Sequence, residues 1–234
     1  MQLHSDFSQR VVIRAEHYQF IDSPLAGVSR MMLERAGHEV ARATSIVRYA
    51  AGSGYSAHTH NGGEEILVLE GVFSDEHGDY PAGTYLRNPP GTSHQPFSTD
   101  GCILLVKLWQ FAEGDVTQLV LNTKQSSWLP SLLEGLSVLP LHEHHGVNTT
   151  LVRWAAHTQF NHHIHTGGEE ILVLEGLLCD EYGEYPAGSW LRNPRDSSHA
   201  PFTLEQGALT YLKVGHLEAG LLGDRFINLH TDNA

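Results

Sequence analysis

Two histidines separated by one residue stand before a pair of glycines and a pair of glutamates, and this octet occurs twice. Residues 58–65 read His-Thr-His-Asn-Gly-Gly-Glu-Glu, and residues 163–170 read His-Ile-His-Thr-Gly-Gly-Glu-Glu. Histidines one residue apart on an extended segment share a face, because strand side chains alternate with period two. A carboxylate four residues further on can fold back towards them. Imidazole nitrogens with a carboxylate oxygen suit zinc, iron, manganese, nickel or copper, so each octet predicts a metal site.

The octets belong to a longer internal repeat, in which residues 44–97 align with residues 149–202. Self-similarity of this length indicates duplication and therefore two tandem domains. A lone His-x-His pair is usually structural, but a pair that recurs with a third histidine at a fixed distance favours a functional set. The six imidazoles that recur at equivalent positions are those of His58, His60, His94, His163, His165 and His199. Histidines without a histidine counterpart, such as His77, are set aside.

The pattern of short apolar runs predicts an all-β protein. Each copy contains runs such as 46–49, 66–69 and 84–87 in the first copy, separated by clusters of glycine, proline, aspartate and serine. This spacing favours β-sandwiches or barrels. Residues 1 to about 43 are predicted to form edge strands and loops. A chain of 234 residues can bury two modest cores, and we expect an N-terminal domain at 1–118 and a C-terminal domain at 119–234.

Charge and composition exclude several classes of partner. The formal net charge of −13 argues against nucleic acids and anionic membranes, since both require a basic surface. Residues 1–14 contain no basic segment followed by an apolar one, and no stretch approaches the ~20 apolar residues that span a bilayer. We therefore expect a cytoplasmic protein. Cys102 and Cys179 do not occupy equivalent repeat positions, which predicts two reduced, buried thiols and no disulfide or cysteine metal site.

The repeated residues resemble the two motifs of the cupin superfamily. The first motif, G-x5-H-x-H-x3-E-x6-G, is matched by Gly52, His58, His60, Glu64 and Gly71, and the second, G-x5-P-x-G-x2-H, by Gly83, Pro89, Gly91 and His94. Ser98 stands where the motif ends in asparagine. The second copy matches at the ligand positions, but His157 and Asp196 replace two glycines, and Thr203 replaces the asparagine. These departures fall on turns.

The run Gly-Gly-Glu-Glu-Ile-Leu-Val-Leu-Glu-Gly, with the segment Tyr-Pro-Ala-Gly that follows, resembles the ChrR-type cupins in particular. The resemblance implies two tandem jelly-roll barrels of the double-stranded β-helix type. It also implies one divalent metal in each barrel, with zinc or iron preferred and manganese or nickel as alternatives. The implied ligands are three histidines and one glutamate in each copy, namely His58, His60, Glu64 and His94, and His163, His165, Glu169 and His199.

Repeated charged residues near the ligands have two open interpretations. Glu65 and Glu170 would lie on the alternate face, either orienting an imidazole or forming solvated or ion-paired carboxylates. Arg48, Arg153, Arg87 and Arg192 also recur. A guanidinium directed into a barrel can hold an anionic or oxygenated ligand through its planar fork. The alternative is an ion pair with a repeated carboxylate such as Glu70 or Asp75.

Two functions follow from the resemblance. The first is a ChrR-like metal-binding regulator linked to oxidative stress, with a regulatory protein as partner. The chain lacks the His-x3-Cys-x2-Cys signature of the zinc-binding anti-sigma domain, so direct inhibition of a sigma factor by this chain is not expected. The second is a non-haem dioxygenase for diketones or hydroxylated aromatic ketones, with a small-molecule ligand in the barrel. Pairing through edge strands makes a homodimer a further expectation.

Overall fold

The computed structural model describes residues 1–38 and 40–217, and strands account for nearly all of their regular structure. The predicted all-β class is confirmed. The chain forms two compact units. The first unit contains Met1–Ser5 and Gln19–Ser126, and the second contains Asp6–Tyr18 and the residues from Ser127 onward. No helix among the described residues has the length and apolar character that a bilayer crossing requires.

Twenty-two strands and one short 3-10 helix at Ala15–His17 follow one another along the described chain. The first twelve strands are β1 (Val11–Ile13), β2 (Ile21–Asp22), β3 (Val28–Gly37), β4 (Ala41–Tyr49), β5 (Ser53–Gly54), β6 (His58–Thr59), β7 (Glu64–Asp75), β8 (Gly78–Pro81), β9 (Thr84–Asn88), β10 (Ser93–His94), β11 (Phe97–Ser98) and β12 (Cys102–Leu108). The remaining ten are β13 (Leu119–Asn122), β14 (Leu129–Pro130), β15 (Leu136–His144), β16 (Val147–Trp154), β17 (His163–His165), β18 (Glu169–Asp180), β19 (Gly183–Pro186), β20 (Trp190–Asn193), β21 (Ser197–His199) and β22 (Phe202–Val214).

In the first unit, the main sheet runs in the order β13-β9-β7-β12-β4-β3-β2, with β8 and β11 also paired to β7. All these pairings are antiparallel. A separate two-stranded sheet joins β6 to β10. The three predicted runs of the first copy lie in β4, β7 and β9. Strand β3, ten residues long, is more regular than the edge strands and loops expected before residue 43.

The second unit repeats this plan in the order β1-β20-β18-β22-β16-β15-β14, with β19 beside β18 and a two-stranded sheet of β17 and β21. Two strands pair in the unit opposite to the one that their position relative to the sequence repeat would suggest. Strand β1 precedes the first copy but pairs with β20 of the second unit, whereas β13 follows the first copy and pairs with β9 of the first unit. Val11 and Leu119 are equivalent, because they face the repeated Arg192 and Arg87.

The interior of each unit is apolar. Ile66, Phe73 and Leu104 belong to the first core cluster, and Val173 and Leu191 belong to the second. Removal of such side chains from water is the main force that closes each sheet. Cys102 and Cys179 are free and buried, as predicted.

Strand β7 and its counterpart β18 each contain an irregularity near a required glycine. The φ angle of Gly71 is +71°, and a Cβ atom there would lie 2.1 Å from the carbonyl oxygen of Gly101. Gly176 repeats both features, with a φ of +75° and a distance of 2.2 Å to the carbonyl oxygen of Gly207. Only glycine satisfies both the left-handed backbone and the close approach. The final glycine of the first motif is therefore a requirement of the backbone.

Candidate metal centres

In the first unit, three imidazoles converge because a short strand pair brings distant parts of the chain together. His58 of β6 faces His94 of β10 in the antiparallel register, although 35 residues separate them. His60 follows β6, and Glu64 begins β7 after the Gly-Gly turn. Each of these four residues offers a ligand atom, and the four atoms lie within 4.8 Å of one another.

The second unit builds the same cluster from equivalent elements. His163 of β17 faces His199 of β21, His165 ends β17, and Glu169 begins β18. These four side chains also offer ligand atoms within 4.8 Å of one another. The structure thus brings together all eight residues that the cupin resemblance implies as ligands, in two groups of four. The described residues hold one candidate metal cluster in each unit.

The distances within the two clusters are similar. Imidazole centroids are 4.6 to 5.1 Å apart in both units. Glu64 Oε2 lies 3.5 Å from the Nε2 atoms of both His60 and His94. Glu169 Oε2 lies 3.3 Å from His165 Nε2 and 3.4 Å from His199 Nε2. Three nitrogens and one oxygen therefore point to a common centre.

Acceptors on the outer side of the imidazoles determine which ring nitrogen faces that centre. His58 Nδ1 donates to the carbonyl oxygen of Ser56 at 3.0 Å, and His94 Nδ1 donates to Asp75 Oδ2 at 3.3 Å. In the second unit the acceptors are Asn161 O at 3.0 Å and Asp180 Oδ2 at 3.2 Å. A proton on Nδ1 leaves the Nε2 lone pair available, as metal-binding imidazoles require.

Four of the inward-facing nitrogens are buried without a hydrogen-bond partner among the described residues. They are the Nε2 atoms of His60, His94, His165 and His199. A buried polar atom without a partner is costly, and a metal ion satisfies several such atoms at once. The donor set of imidazole nitrogens and one carboxylate oxygen fits zinc, iron, manganese or nickel. These residues therefore fit a divalent metal.

Burial lowers the pKa values of two cluster imidazoles, which keeps them in the neutral form that binds a metal. Desolvation, with repulsion from His94 and His58, lowers the pKa of His60 to about 4. Desolvation with repulsion from His199 and His163 lowers the pKa of His165 to about 3. Both imidazoles are consequently neutral near pH 7 and available as ligands. Burial raises the pKa of Glu64 to about 7, and the hydrogen bond from Asn88 opposes this rise.

The Gly-Gly turn allows the chain to return towards the imidazoles. Gly63 and Gly168 adopt φ angles of +76° and +73°, which L side chains rarely adopt. A Cβ atom on Gly63 would lie 2.4 Å from the ring of Phe111. On Gly62 it would lie 2.0 Å from the ring of Trp109. The turn therefore requires glycine for its backbone conformation at one position and for close aromatic packing at the other.

Arg10 supports the second cluster from a segment far away in the sequence. Its Nη2 atom lies 2.9 Å from Asp180 Oδ2, the oxygen that accepts the His199 hydrogen bond. Its Nε atom donates to Asn193 Oδ1 at 2.9 Å, and Asn193 Nδ2 donates to Glu169 Oε2 at 2.8 Å. A single guanidinium thus orders the partners of two cluster residues.

The charge of Arg10 also affects Asp180 directly. Burial alone would raise the pKa of Asp180, but hydrogen bonds from His199, Tyr185 and the Tyr182 backbone, with the charge of Arg10, lower it. In the first unit the Asp75 and Asn88 contacts recur, at 3.3 Å to His94 Nδ1 and 3.3 Å to Glu64 Oε2. From the β1 and β13 registers, the position of Arg10 corresponds to Gln118.

The other predicted residues lie around the clusters. Glu65 forms an ion pair with Arg87 at 3.4 Å, and Arg87 also pairs with Asp115. Glu170 accepts a hydrogen bond from Trp190 Nε1 at 3.0 Å. The carboxylates that contact cluster imidazoles through Nδ1 are instead Asp75 and Asp180.

The four repeated arginines pack on aromatic rings. Arg48 stacks on Phe20 with its Cζ 3.9 Å from the ring centroid, and Arg153 stacks on Trp128 at 4.1 Å. Arg87 lies 4.2 Å from the Phe111 ring. Arg192 stacks on Phe7 at 4.7 Å and donates to Asp6 O at 2.8 Å.

A cavity of about 370 Å³ opens beside the cluster of the first unit. Its wall includes all four cluster residues and apolar side chains such as Ile66, Phe73, Leu104 and Val106. None of the four repeated arginines lines it. The arginines in the wall are Arg30 and Arg35 of β3, which the repeat did not single out. This volume falls within the range of sites for small organic ligands.

Strand registers identify the equivalents of three residues in this wall. Arg30 faces Val47 and Arg35 faces Ala43, whereas Val138 faces Val152 and Glu143 faces Asn148 in the second unit. Trp109 follows Leu108, which faces Glu64, and Gly215 follows Val214, which faces Glu169. The second unit therefore carries valine, glutamate and glycine where the first carries two arginines and a tryptophan.

Known proteins share this sequence pattern and fold. The family described as ChrR Cupin-like domain matches residues 8–112 and, a second time, residues 116–218. No curated protein shows a significant sequence match to this chain. The two family segments begin with β1 and β13, so each match combines strands from the two compact units.

Solved structures with the same fold have low sequence identity. A presumed dioxygenase from Nostoc punctiforme has a TM-score of 0.75 and 15% identity, with 88% of this chain and 82% of that chain covered. An Escherichia coli pirin in complex with nickel(II) has a TM-score of 0.60 and 15% identity, covering 88% and 99%. A Bacillus subtilis oxalate decarboxylase variant has a TM-score of 0.62 and 12% identity, covering 87% and 76%. These similarities confirm the predicted fold of two tandem cupin barrels.

Proposed function

Because this chain belongs to the ChrR Cupin-like domain family and carries two such domains, we propose that its first centre is the active site of a dioxygenase. The substrates would be small oxygenated compounds, namely diketones or hydroxylated aromatic ketones. The cavity of about 370 Å³ beside His58, His60, Glu64 and His94 carries this proposal. A centre with a purely structural metal has no need of a space for an organic molecule beside its ligands.

The residues of the first unit have different roles in the proposed reaction. Three imidazoles and one carboxylate would hold the ion, which when bound would supply Lewis-acid and, as iron, redox chemistry for an oxygenated substrate. Asp75 and the Ser56 carbonyl hold two imidazoles in the ligand tautomer. The apolar wall of Ile66, Leu104 and Val106 excludes water and packs against the substrate body. Trp109 lies at the Gly-Gly turn and closes the wall beside the cluster.

The backbone of Trp109 supports a functional role for this wall. Its φ angle is +57°, whereas the equivalent residue of the second unit is a glycine with a φ of +82°. A bulky side chain in the left-handed region costs about 1–3 kcal/mol, and such residues cluster at functional sites. Large aromatic side chains are common in the walls of small-molecule sites. The first unit therefore keeps a strained tryptophan where glycine would relieve the backbone.

A metal-dependent regulator of the ChrR type is the second candidate, and the family match over both halves of the chain supports it. In this case the two clusters would serve as metal-binding sensor sites, and a regulatory protein would read their state. Metal sensing alone does not account for the cavity beside the first cluster, whose wall carries two arginines.

Elemental analysis of protein purified without added metal, followed by oxygen uptake on a diketone panel, tests the choice. The dioxygenase proposal predicts bound iron and substrate-dependent oxygen uptake. This result would contradict a role as a metal sensor alone. Bound zinc without oxygen uptake would contradict the dioxygenase proposal and favour the metal-dependent regulator. Val138→Ala, at the position equivalent to Arg30 in the second unit, serves as a control that leaves the first centre intact.

A further inference from the structure

Arg30 and Arg35 of β3 line the same cavity as the four cluster residues of the first unit. Residues that face each other in an antiparallel sheet share one face. Arg35 faces Ala43, Ala43 faces Leu108, and Leu108 faces Glu64, so Arg35 lies on the same row as a cluster residue, three strands away. Arg30 lies further along β3, facing Val47. All of these residues line the cavity.

Neither guanidinium is neutralised by a carboxylate among residues 1–38 and 40–217. The Arg35 guanidinium donates to the carbonyl oxygen of His38 at 2.6 Å, and the Arg30 side chain forms no hydrogen bond or ion pair in that part of the chain. Burial lowers the pKa of Arg35, and the nearby charge of Arg30 lowers it further. Two half-buried cations with no carboxylate partner among the described residues favour an anionic ligand.

The surroundings of the arginines define the size and character of this anion. Ile66, Leu104 and Val106 form an apolar surface between the cluster and the arginines. A cavity of about 370 Å³ has the size of a site for a small organic molecule. Guanidinium forks match the planar geometry of a carboxylate. The ligand must therefore combine a carboxylate, a short apolar body and oxygen donors for the metal.

The second unit does not provide this charge. Val138 and Glu143 occupy the positions of Arg30 and Arg35, so two positive charges in the first unit correspond to one negative charge in the second. The feature is therefore specific to one barrel, although the eight cluster residues occur in both. A general structural need for arginine on this strand would have applied to both copies.

We propose that the first barrel binds a small organic carboxylate, which pairs with Arg30 and Arg35 while its other oxygen atoms face the metal cluster. This inference rests on the proposed function, because it names the substrate class of the same site. The carboxylate would select acids over neutral ketones and would orient the reacting oxygen atoms towards His58, His60, Glu64 and His94. Substrate orientation of this kind is a major contribution to catalysis.

A matched acid and ester test the proposal. The probes are 2,4-dioxopentanoate and its methyl ester, which share a diketone and differ in the carboxylate charge. Isothermal titration calorimetry on the full-length, metal-containing protein should show the acid binding at least about tenfold more tightly than the ester. Arg30→Gln should reduce this preference to less than about threefold, and Arg30→Lys should retain part of it. Equal binding of acid and ester, or no binding of the acid, would overturn the proposal.

Arg48→Gln provides the matched control. It removes one positive charge from the same unit, but Arg48 is exposed, stacks on Phe20 and does not line the cavity. The control should keep the preference for the acid, and a loss equal to that of Arg30→Gln would show a bulk charge effect and overturn the proposal. Metal content and circular dichroism verify that each variant is folded.

Oxygen uptake separates this inference from the proposed function. Tight binding of the acid without uptake would support the carboxylate site and contradict the dioxygenase. Uptake with acid and ester at equal efficiency would support the dioxygenase and contradict the carboxylate site.

Discussion

The two barrels of this chain share four cluster residues each but differ in what surrounds them. The first cluster borders a cavity whose wall carries Arg30, Arg35 and Trp109. In the second unit, Arg10 forms an ion pair with Asp180 and donates a hydrogen bond to Asn193, and both of these residues contact the cluster. Duplication thus preserved the metal-binding geometry while the surroundings diverged. The two clusters therefore differ in their charged neighbours, with Arg30 and Arg35 in the wall beside the first cluster and Arg10 supporting the second.

The largest expected effect is the loss of metal from one barrel at a time. His94→Ala removes one of four ligand atoms from the first cluster, and His199→Ala does the same in the second. Each variant should contain about one metal ion fewer per chain by elemental analysis, because a site with four protein ligands loses most of its affinity when one of them is removed. His77→Ala, at an exposed and unrepeated histidine, should keep the full content. Unchanged content in both cluster variants would refute the ligand assignment.

A substitution in the Gly-Gly turn should weaken the first centre without removing a ligand. Gly63→Val places a β-branched side chain at a φ of +76° and against the Phe111 ring, which displaces Glu64. The left-handed conformation alone costs about 1–2 kcal/mol, so metal affinity of the first centre should fall by about tenfold or more. Metal competition with a chelator measures this change.

Gly114→Val is the matched control for backbone strain. Gly114 has a φ of +79°, and a Cβ atom there would meet nothing within 4 Å. The control should lower stability but keep the metal affinity. Unchanged metal stoichiometry and affinity in Gly63→Val would contradict the role of the turn.

Arg10→Ala should weaken only the second centre. The variant removes the partner of Asp180 and Asn193, which hold His199 and Glu169. Loss of such supporting contacts typically reduces metal affinity by about 10- to 100-fold. The first centre serves as an internal reference, because a general loss of folding would affect both. Arg10→Lys should recover part of the affinity.

Arg14→Ala is the control for the same segment, because the Arg14 side chain donates only to the carbonyl oxygen of Glu184 in the described contacts. A fall in the affinity of both centres after Arg10→Ala would indicate a structural role in place of the specific one.

The smallest expected effect concerns two turns in which the copies differ. His157 and Asp196 adopt φ angles of +56° and +60° where the first copy has Gly52 and Gly91. His157→Gly and Asp196→Gly should each raise the free energy of unfolding of the second unit by up to about 1 kcal/mol. The thermal midpoint of that unit should rise accordingly. Aspartate tolerates this conformation better than most residues, so its gain should be the smaller. Scanning calorimetry that shows no gain at either position would argue against strain in these turns.

The ligand clusters could be predicted from the sequence because the duplication marks them. The repeat isolates His58, His60 and His94 from other histidines, and the motif spacing selects Glu64 over Glu65. The same reliance on repetition concealed Arg30 and Arg35, which precede the aligned segment and differ between the copies. These two arginines could be recognised as differences between the copies only after the strand registers had identified Val138 and Glu143 as their equivalents.

The contribution of Arg10 could not be predicted for a different reason. It depends on the pairing of β1 with β20, which joins residues about 180 positions apart. A three-residue strand near the start of a chain has no local signal that specifies its partner, because pairing is decided by tertiary packing. Repetition can also single out residues that do not line the cavity. Arg48 and Arg153 recur in both copies, but they stack on aromatic rings and do not belong to the cavity wall.

Oxygen uptake by the two single-cluster variants tests the division of roles most directly. His94→Ala and His199→Ala, each with metal content determined, are compared with the unmodified protein on the same diketone acid. The account predicts that uptake is lost in His94→Ala and retained in His199→Ala, since only the first cluster borders the cavity with Arg30 and Arg35. Retention of uptake in His94→Ala, or its equal loss in both variants, would contradict it.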